Sequence, residues 1–390
     1  DENRFLRVCW IVFKDYNKSK SYHVYDNLKR ACPPDEKKHW LELSAFVEFI
    51  TNTAKTYAYL FDSEATDLSD KEKIFLQRIA LHPASASILP LVVALFSKEK
   101  DADERADILD ILEKLNFRYY ITGVANRNDS GQGELFEMAF DYYQGNFNTH
   151  ENPNNLSEVD LLRENLVRFI DVNANDYKFV QYLTLDKDES GDYYKWQGLK
   201  FFLGSYEDYL LAKGQKGSRL SSLVAAQDVS KKNDFYQKEH IWAVKEFSVV
   251  QDKFDRDINK RRLGNFVLLS ADINRDVGKK RPEVKVEKYF EHTTLKPDTL
   301  MIHELSSDFA LAQKLIDDSG IYKRNVAGYW YCVYQEFIDI REQRMVNFAI
   351  KRWAVEGVKR PVTNVNINSK SKDNEIFKTD FHFSAYTIFF

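Results

Sequence analysis

Cysteine is scarce in this chain. Only Cys9, Cys32 and Cys332 occur in 390 residues, far apart and without a CxxC pair. That excludes a disulfide-stapled scaffold and a cysteine zinc site, and it points to a reducing compartment. Long apolar runs are missing too. The run ILPLVVALF at 88–96 is too short to cross a bilayer, and the start has neither a basic n-region nor an apolar h-region, so a cytoplasmic protein is expected. The opening DENRF has no methionine, so the expectation is a piece of a longer protein with something upstream. Positive charge is not in surplus either, since the net charge of −4 argues against nucleic-acid binding by bulk charge.

What the chain does have is apolar and aromatic matter. Hydrophobic residues make up 44% and aromatics 14%, with 28 Phe and 22 Tyr, the composition of a folded protein. A length of 390 residues suggests two or three globular parts. Charge is also unevenly placed. Between Asp228 and Phe290 there are 15 Lys and Arg against 11 Asp and Glu, so one basic segment sits on an acidic body. A phosphate backbone requires local charge of that sign, although a solvated lysine-rich loop would show the same count.

Up to about residue 215 the pattern is helical. Ile108, Ile111, Leu112, Leu115 and Tyr119 share one face of a helix expected over Asp107 to Tyr120, and Leu199, Phe202, Leu203, Tyr206 and Leu210 repeat the stripe over Trp196 to Leu211. Ser157, three residues before Asp160, reads as an N-cap. The segments NRNDSGQGE (126–134) and HENPNNLS (150–157) read as loops, the second as a boundary between a helical domain over 1–150 and a second domain over 151–360. After 215 the order is strand (FYQKEHIW), charged insertion, strand (FVLLS, 266–270) and helix, and then a helical stripe through Phe337, Ile340, Met345 and Phe348. Residues 361–390 alternate like strand. The expected class is therefore mainly α-helical with an embedded strand–strand–helix unit over about 235–282.

Three short motifs carry no chemistry. DKDESGD (186–192) opens like a calcium loop but has Gln197 where a carboxylate is needed. SGQGEL (130–135) has two glycines of a dinucleotide fingerprint and no strand before it, and His303–Glu304 has no second histidine at the zincin spacing.

The stretch KEHIWAVKEF (238–247) is different. Cleaving a phosphodiester takes a base for water, a hard cation for the developing charge and basic groups for the backbone. His240 can be that base, beside Glu239 as a carboxylate ligand. Because strand neighbours point to opposite faces, the two can serve one phosphate only if the strand ends or bends there. Asn265, directly before the second strand, can brace the His240 loop through its amide, and Asn274, one turn into the next helix, can share a metal with Glu239. So sparse an oxygen set suits Mg²⁺, with Mn²⁺ as a substitute, better than Zn²⁺. Lys279, Lys280 and Arg281 follow, able to meet phosphates, with a solvated charge run as the other reading. Arg341 and Arg344 are read as structural ion-pair partners, with groove contact as the alternative.

The order EHI, LGNFVLLS, Asn and a lysine cluster resembles the HNH, or His-Me finger, nuclease motif in the C-terminal region of GmrSD-type modification-dependent restriction endonucleases. The flanking WQGLKFFLGSYEDYL and FIDIREQRMVNFAIKRW look like the helices beside that motif. The resemblance covers roughly 150–355. It implies a ββα-metal fold in which Glu239 and Asn274 are similar to the metal ligands, His240 to the general base and Asn265 to the structural asparagine. It also implies a DNA endonuclease, the effector part of an anti-phage system. Ala243 stands where the family commonly has proline, and no DGQQR-like string occurs, so a sensor or nucleotide-hydrolysing part would lie elsewhere. The competing expectation is a DNA-binding or regulatory module that keeps the fold without turnover; a third is an RNA or toxin-like nuclease.

Overall fold

Apolar residues recurring every three or four positions turn most of this chain into helix. The computed structural model describes residues 2–31, 37–60, 65–127, 129–149, 156–184, 193–213, 218–224, 236–243, 259–293, 299–320 and 326–359. The expected segment 361–390 and the acidic motif at 186–192 lie outside them. No described helix is long and apolar enough to cross a membrane.

The first core is a helical layer. It comprises α1 (Glu2–Phe13), α2 (Lys18–Ser21), α3 (Val24–Ala31), α4 (Lys37–Ala58), α5 (Asp70–Leu81), α6 (Leu89–Lys98), α7 (Ala102–Leu115), α8 (Gln132–Gln144) and α9 (Glu158–Asn173). The most apolar run in the sequence becomes α6, whose residues Leu89 to Leu95 are all buried, with Pro90 in the first turn where its missing N–H costs nothing. A helix apolar on every side belongs at the centre, and α1, α4 and α8 pack around it. Capping sets the helix starts: Ser69 and Glu72 form a reciprocal box on α5, and Ser157 accepts from the Asp160 N–H on α9. Gly131 enters α8 with φ +67, a conformation few side chains accept, and a Cβ there would lie 2.7 Å from the Phe169 ring.

The stripe expected to run through Tyr120 instead leaves α7 at Leu115 and widens into a π-turn over Asn116–Ile121. The physical reason is what the turn must reach. Tyr119 and Tyr120 stay in the first core, while Phe117 and Ile121 enter a second one. The wider turn distributes consecutive side chains to both sides, which a regular 3.6-residue helix cannot do.

The second core is built by α10 (Asp176–Thr184), α11 (Leu199–Leu211), α12 (Leu220–Val224), β1 (Tyr236–His240), β2 (Phe266–Ser270), α13 (Ala271–Val277), α14 (Pro282–Thr293), α15 (Leu305–Ser319) and α16 (Val326–Arg352). The architecture is thus mainly helical, with one two-stranded antiparallel sheet among the described residues. Trp196, expected inside α11, stands in the turn before it and donates from Nε1 to the Ile121 carbonyl at 2.5 Å. Phe266 to Leu269 are buried on both faces of β2, as a continuous apolar run demands. A two-stranded ribbon is marginal by itself, so its stability comes from the helices that cover it.

The two cores meet at Trp353. Its ring stacks on Phe117 with centroids 3.7 Å apart, and its carbonyl accepts from Arg118 at 3.0 Å. Arg118, fully buried, also donates to the Ala174 carbonyl and the Asp176 carboxylate. Beside them lies Glu113, with no exposed surface, accepting from Arg352 at 3.1 and 3.2 Å and from Trp353 Nε1 at 3.2 Å, with His82 Nε2 3.4 Å away. Burial alone raises a carboxyl pKa. Here Arg352, His82 and Arg78 outweigh it and hold Glu113 down at about 2, against an ordinary 4.5. A depressed carboxyl contributes stability above its unfolded pKa and loses it as pH falls through the folded value. Glu113→Gln is expected to cost about 3–5 kcal/mol at neutral pH. It should also flatten the acid limb between about pH 4.5 and 2, as measured by urea unfolding across that range.

Candidate active site

The hairpin is positioned by one amide. Asn265 is fully buried between the strands. Its Oδ1 accepts from the Trp242 N–H at 2.8 Å, and its Nδ2 donates to the Trp242 carbonyl at 3.0 Å and the Lys260 carbonyl at 2.6 Å. Its own carbonyl accepts from the Ile241 N–H at 2.9 Å. The chain is therefore clamped at the two residues that follow His240, and the strand ends there. With no exposed surface, Asn265 braces the loop from inside the fold.

A second device fixes the start of β2 to α16. Arg341, 2% exposed, donates to the carbonyls of Gly264 at 2.7 Å and Phe266 at 3.0 Å. A Cβ on Gly264 would lie 2.2 Å from the Ile338 carbonyl oxygen, so only glycine allows the strand this close to the helix. Arg262 adds ion pairs to Glu342 and, at 2.6 Å, to Asp339, while Arg344 pairs with Asp308 at 2.8 Å. Arg341 and Arg344 are structural, and Lys260, 1% exposed, lies 5.0 Å from the Trp242 ring. Lys260 and Arg262, both counted in the basic segment, are thus engaged inside the fold.

Register places His240 opposite Phe266 and Glu239 opposite Val267, so their side chains leave opposite faces of β1. On the Glu239 face, Lys285 from α14 is buried and forms an ion pair with Glu239, and it donates to the His240 carbonyl at 2.7 Å. Burial pushes the Glu239 carboxyl up, partly offset by Lys285. Gln237, on that same face, accepts from Asn274 Nδ2 at 2.7 Å, which brings Asn274 to the side of β1 that carries Glu239. Tyr289 is buried on α14, its hydroxyl without a hydrogen-bond partner among the described residues, and the charge of Glu239 adds to the burial that raises its pKa. On the other face, the His240 ring lies parallel to Tyr194 at 5.3 Å and tilted to Phe266 at 4.5 Å, a clamp that fixes its orientation.

Glu239, His240, Asn265 and Asn274 therefore gather around one hairpin. Lys279, Lys280 and Arg281 lie past the end of α13, where Lys280 donates to the Asp276 carbonyl at 3.0 Å. Lys285, Tyr289 and Gln237 were not anticipated. Their signal is present in the sequence, because Pro282, Lys285, Val286 and Tyr289 follow helical spacing and put a lysine at a core position. A lysine in an apolar stripe calls for a buried anion. Tyr194 had no such signal.

Among the described residues no three His, Cys, Asp or Glu converge on a cation site. A hard cation at Glu239 would draw on that carboxylate, the Asn274 amide oxygen, water and substrate phosphate, a set that fits Mg²⁺ in its need for few protein ligands. Lys285 would share the carboxylate with it.

Comparison with known proteins adds no relative. No family model, no curated protein and no solved structure matches this chain.

Two substitutions test the brace. Asn265→Ala orphans the Trp242 and Lys260 backbone groups, at about 1–3 kcal/mol for each buried group left unmade. Gly264→Ala drives a methyl into the α16 backbone, with an expected loss at or above about 3 kcal/mol, the upper end for overpacking. Thermal and urea unfolding check both; melting at the unmodified protein's temperature would refute the clamp.

Proposed function

We propose that this chain is a metal-dependent DNA endonuclease in which His240 is the general base. The observation that carries this reading is the end of β1: Asn265 clamps the chain directly after His240, while Glu239 and, through Gln237, Asn274 lie on the opposite face of the strand. Strand, strand and helix come in the order of a ββα-metal unit, which supports the resemblance to the HNH region of GmrSD-type restriction enzymes. On this reading His240, held between Tyr194 and Phe266, takes a proton from a water that attacks phosphorus, and a P–O bond of the backbone breaks. A bound Mg²⁺ or Mn²⁺ supplies charge stabilisation at the phosphate and leaving oxygens. Lys279, Lys280 and Arg281 are proposed to meet flanking phosphates. The same resemblance supports an effector role in anti-phage defence, in the cytoplasm, with target sensing by another part of the protein or a partner.

One observation favours a second reading, a DNA-binding or regulatory module without turnover. Lys285 already gives Glu239 a cation, so the carboxylate is satisfied with no metal. Nicking of supercoiled plasmid separates the two. With Mg²⁺ or Mn²⁺ the chain is expected to nick, EDTA to stop it, and His240→Ala to lower the rate at least about 100-fold, the contribution of a general base. Retained DNA binding with no cleavage under any of these conditions would establish the module.

A further inference from the structure

The buried ammonium of Lys285 bonds to two consecutive residues of β1. Its side chain has no exposed surface, and Nζ pairs with Oε1 of Glu239 while donating to the His240 carbonyl at 2.7 Å. One cation therefore joins the side chain of the candidate metal ligand to the main chain of the candidate base. The next peptide group is held from the other side, because the Ile241 N–H donates to the Asn265 carbonyl at 2.9 Å. Lys285 is itself anchored. It lies in the first turn of α14, where Glu283 accepts from the Tyr334 hydroxyl of α16 at 2.7 Å. The Tyr334 ring in turn packs on Trp242, with centroids 5.1 Å apart, just past the end of the strand. Stability alone does not call for this ion pair, because an apolar pair of the same volume holds a fold as well or better. What an apolar pair cannot do is keep a carboxylate charged and aimed before a metal arrives.

Resting on the nuclease reading above, we propose that Lys285 is the positioning residue that sets Glu239 and His240 to one phosphate, and that in doing so it weakens the hold of Glu239 on the metal. Because the ammonium takes Oε1, Glu239 offers a cation its other oxygen, and the ammonium repels that cation across the carboxylate. The same ammonium fixes the His240 main chain. A base and a ligand on opposite faces of the strand thus share one anchor, and orientation is secured at the expense of metal affinity.

The test measures metal binding apart from cleavage. Mn²⁺ binding to the full chain is followed by electron paramagnetic resonance at mildly alkaline pH, and the sites abolished by Glu239→Gln are the ones counted. Lys285→Met is expected to bind Mn²⁺ about 10-fold more tightly than the unmodified chain, because a like charge is removed. In plasmid nicking the same variant is expected to lose roughly 10- to 100-fold in kcat with KM for DNA little changed, the mark of misplaced groups. A residue that only stabilised the fold would weaken binding and turnover together. Should Lys285→Met fail to fold, Lys285→Gln, which keeps N–H donors and loses the charge, carries the same expectations. The proposal is overturned if the folded variant binds Mn²⁺ no more tightly than the unmodified chain, if kcat is kept, if KM rises as far as kcat falls, or if neither variant folds. Failure of the nuclease reading looks different: the unmodified chain never nicks, whichever way the Mn²⁺ affinity moves.

Discussion

A carboxylate removed from water stays charged only where cations and N–H groups reach it, and that requirement at Glu113 joins this molecule together. The carboxylate comes from α7, the guanidinium and indole that satisfy it come from the end of α16, and His82 comes from the turn after α5. Residues more than two hundred positions apart are bound to one another by a need for charge compensation. Arg118 repeats the pattern in reverse, a buried cation answered by Asp176 and two carbonyls. The apolar stacking of Phe117 on Trp353 excludes the water that would otherwise weaken both.

The hairpin obeys the same rule at smaller scale. Five residue pairs of ladder leave many backbone groups without a strand partner. Side chains supply what is missing: Asn265 on one edge, Arg341 at the entry to β2, and Thr299 with Met301 on the far side, where Thr299 donates to the Leu268 carbonyl at 2.8 Å. Glu207, buried in α11, takes the N–H groups of Leu300 and Met301 and so holds that covering segment in place. Order at the candidate site thus rests on buried polar groups, each with a defined direction, which apolar packing alone cannot provide.

Local periodicity made the helices legible. The stripes of α7, α11 and α16, the Ser157 cap and the short β2 all follow from residue spacing, whereas Glu239, His240, Asn265 and Asn274 became candidates through their chemistry and the resemblance. Longer-range features were not readable. The π-turn after Leu115 answers to Trp353, a residue far along the chain, and no local pattern encodes that. Helical spacing puts Lys285 at a core position but does not name its partner, which lies 46 positions away. The basic segment misled in a similar way: Lys260 and Arg262 are counted among its charges yet face inward. Sequence counts charge, while only the fold says which charges are available.

Gly264 and Trp353 together have a mechanical consequence. The first seats the hairpin against α16 at Ile338 and Arg341, and the second ties the end of that helix to Glu113 of α7, a helix of the first layer. From Arg341 to Arg352 the helix rises about 16 Å, at ~1.5 Å per residue. A rod of fixed length fastened at two points behaves as a strut. The His240 hairpin cannot slide along it, nor can the first core turn about it, unless one set of buried bonds is broken, so the distance between hairpin and helical layer is set by the pitch of a single helix.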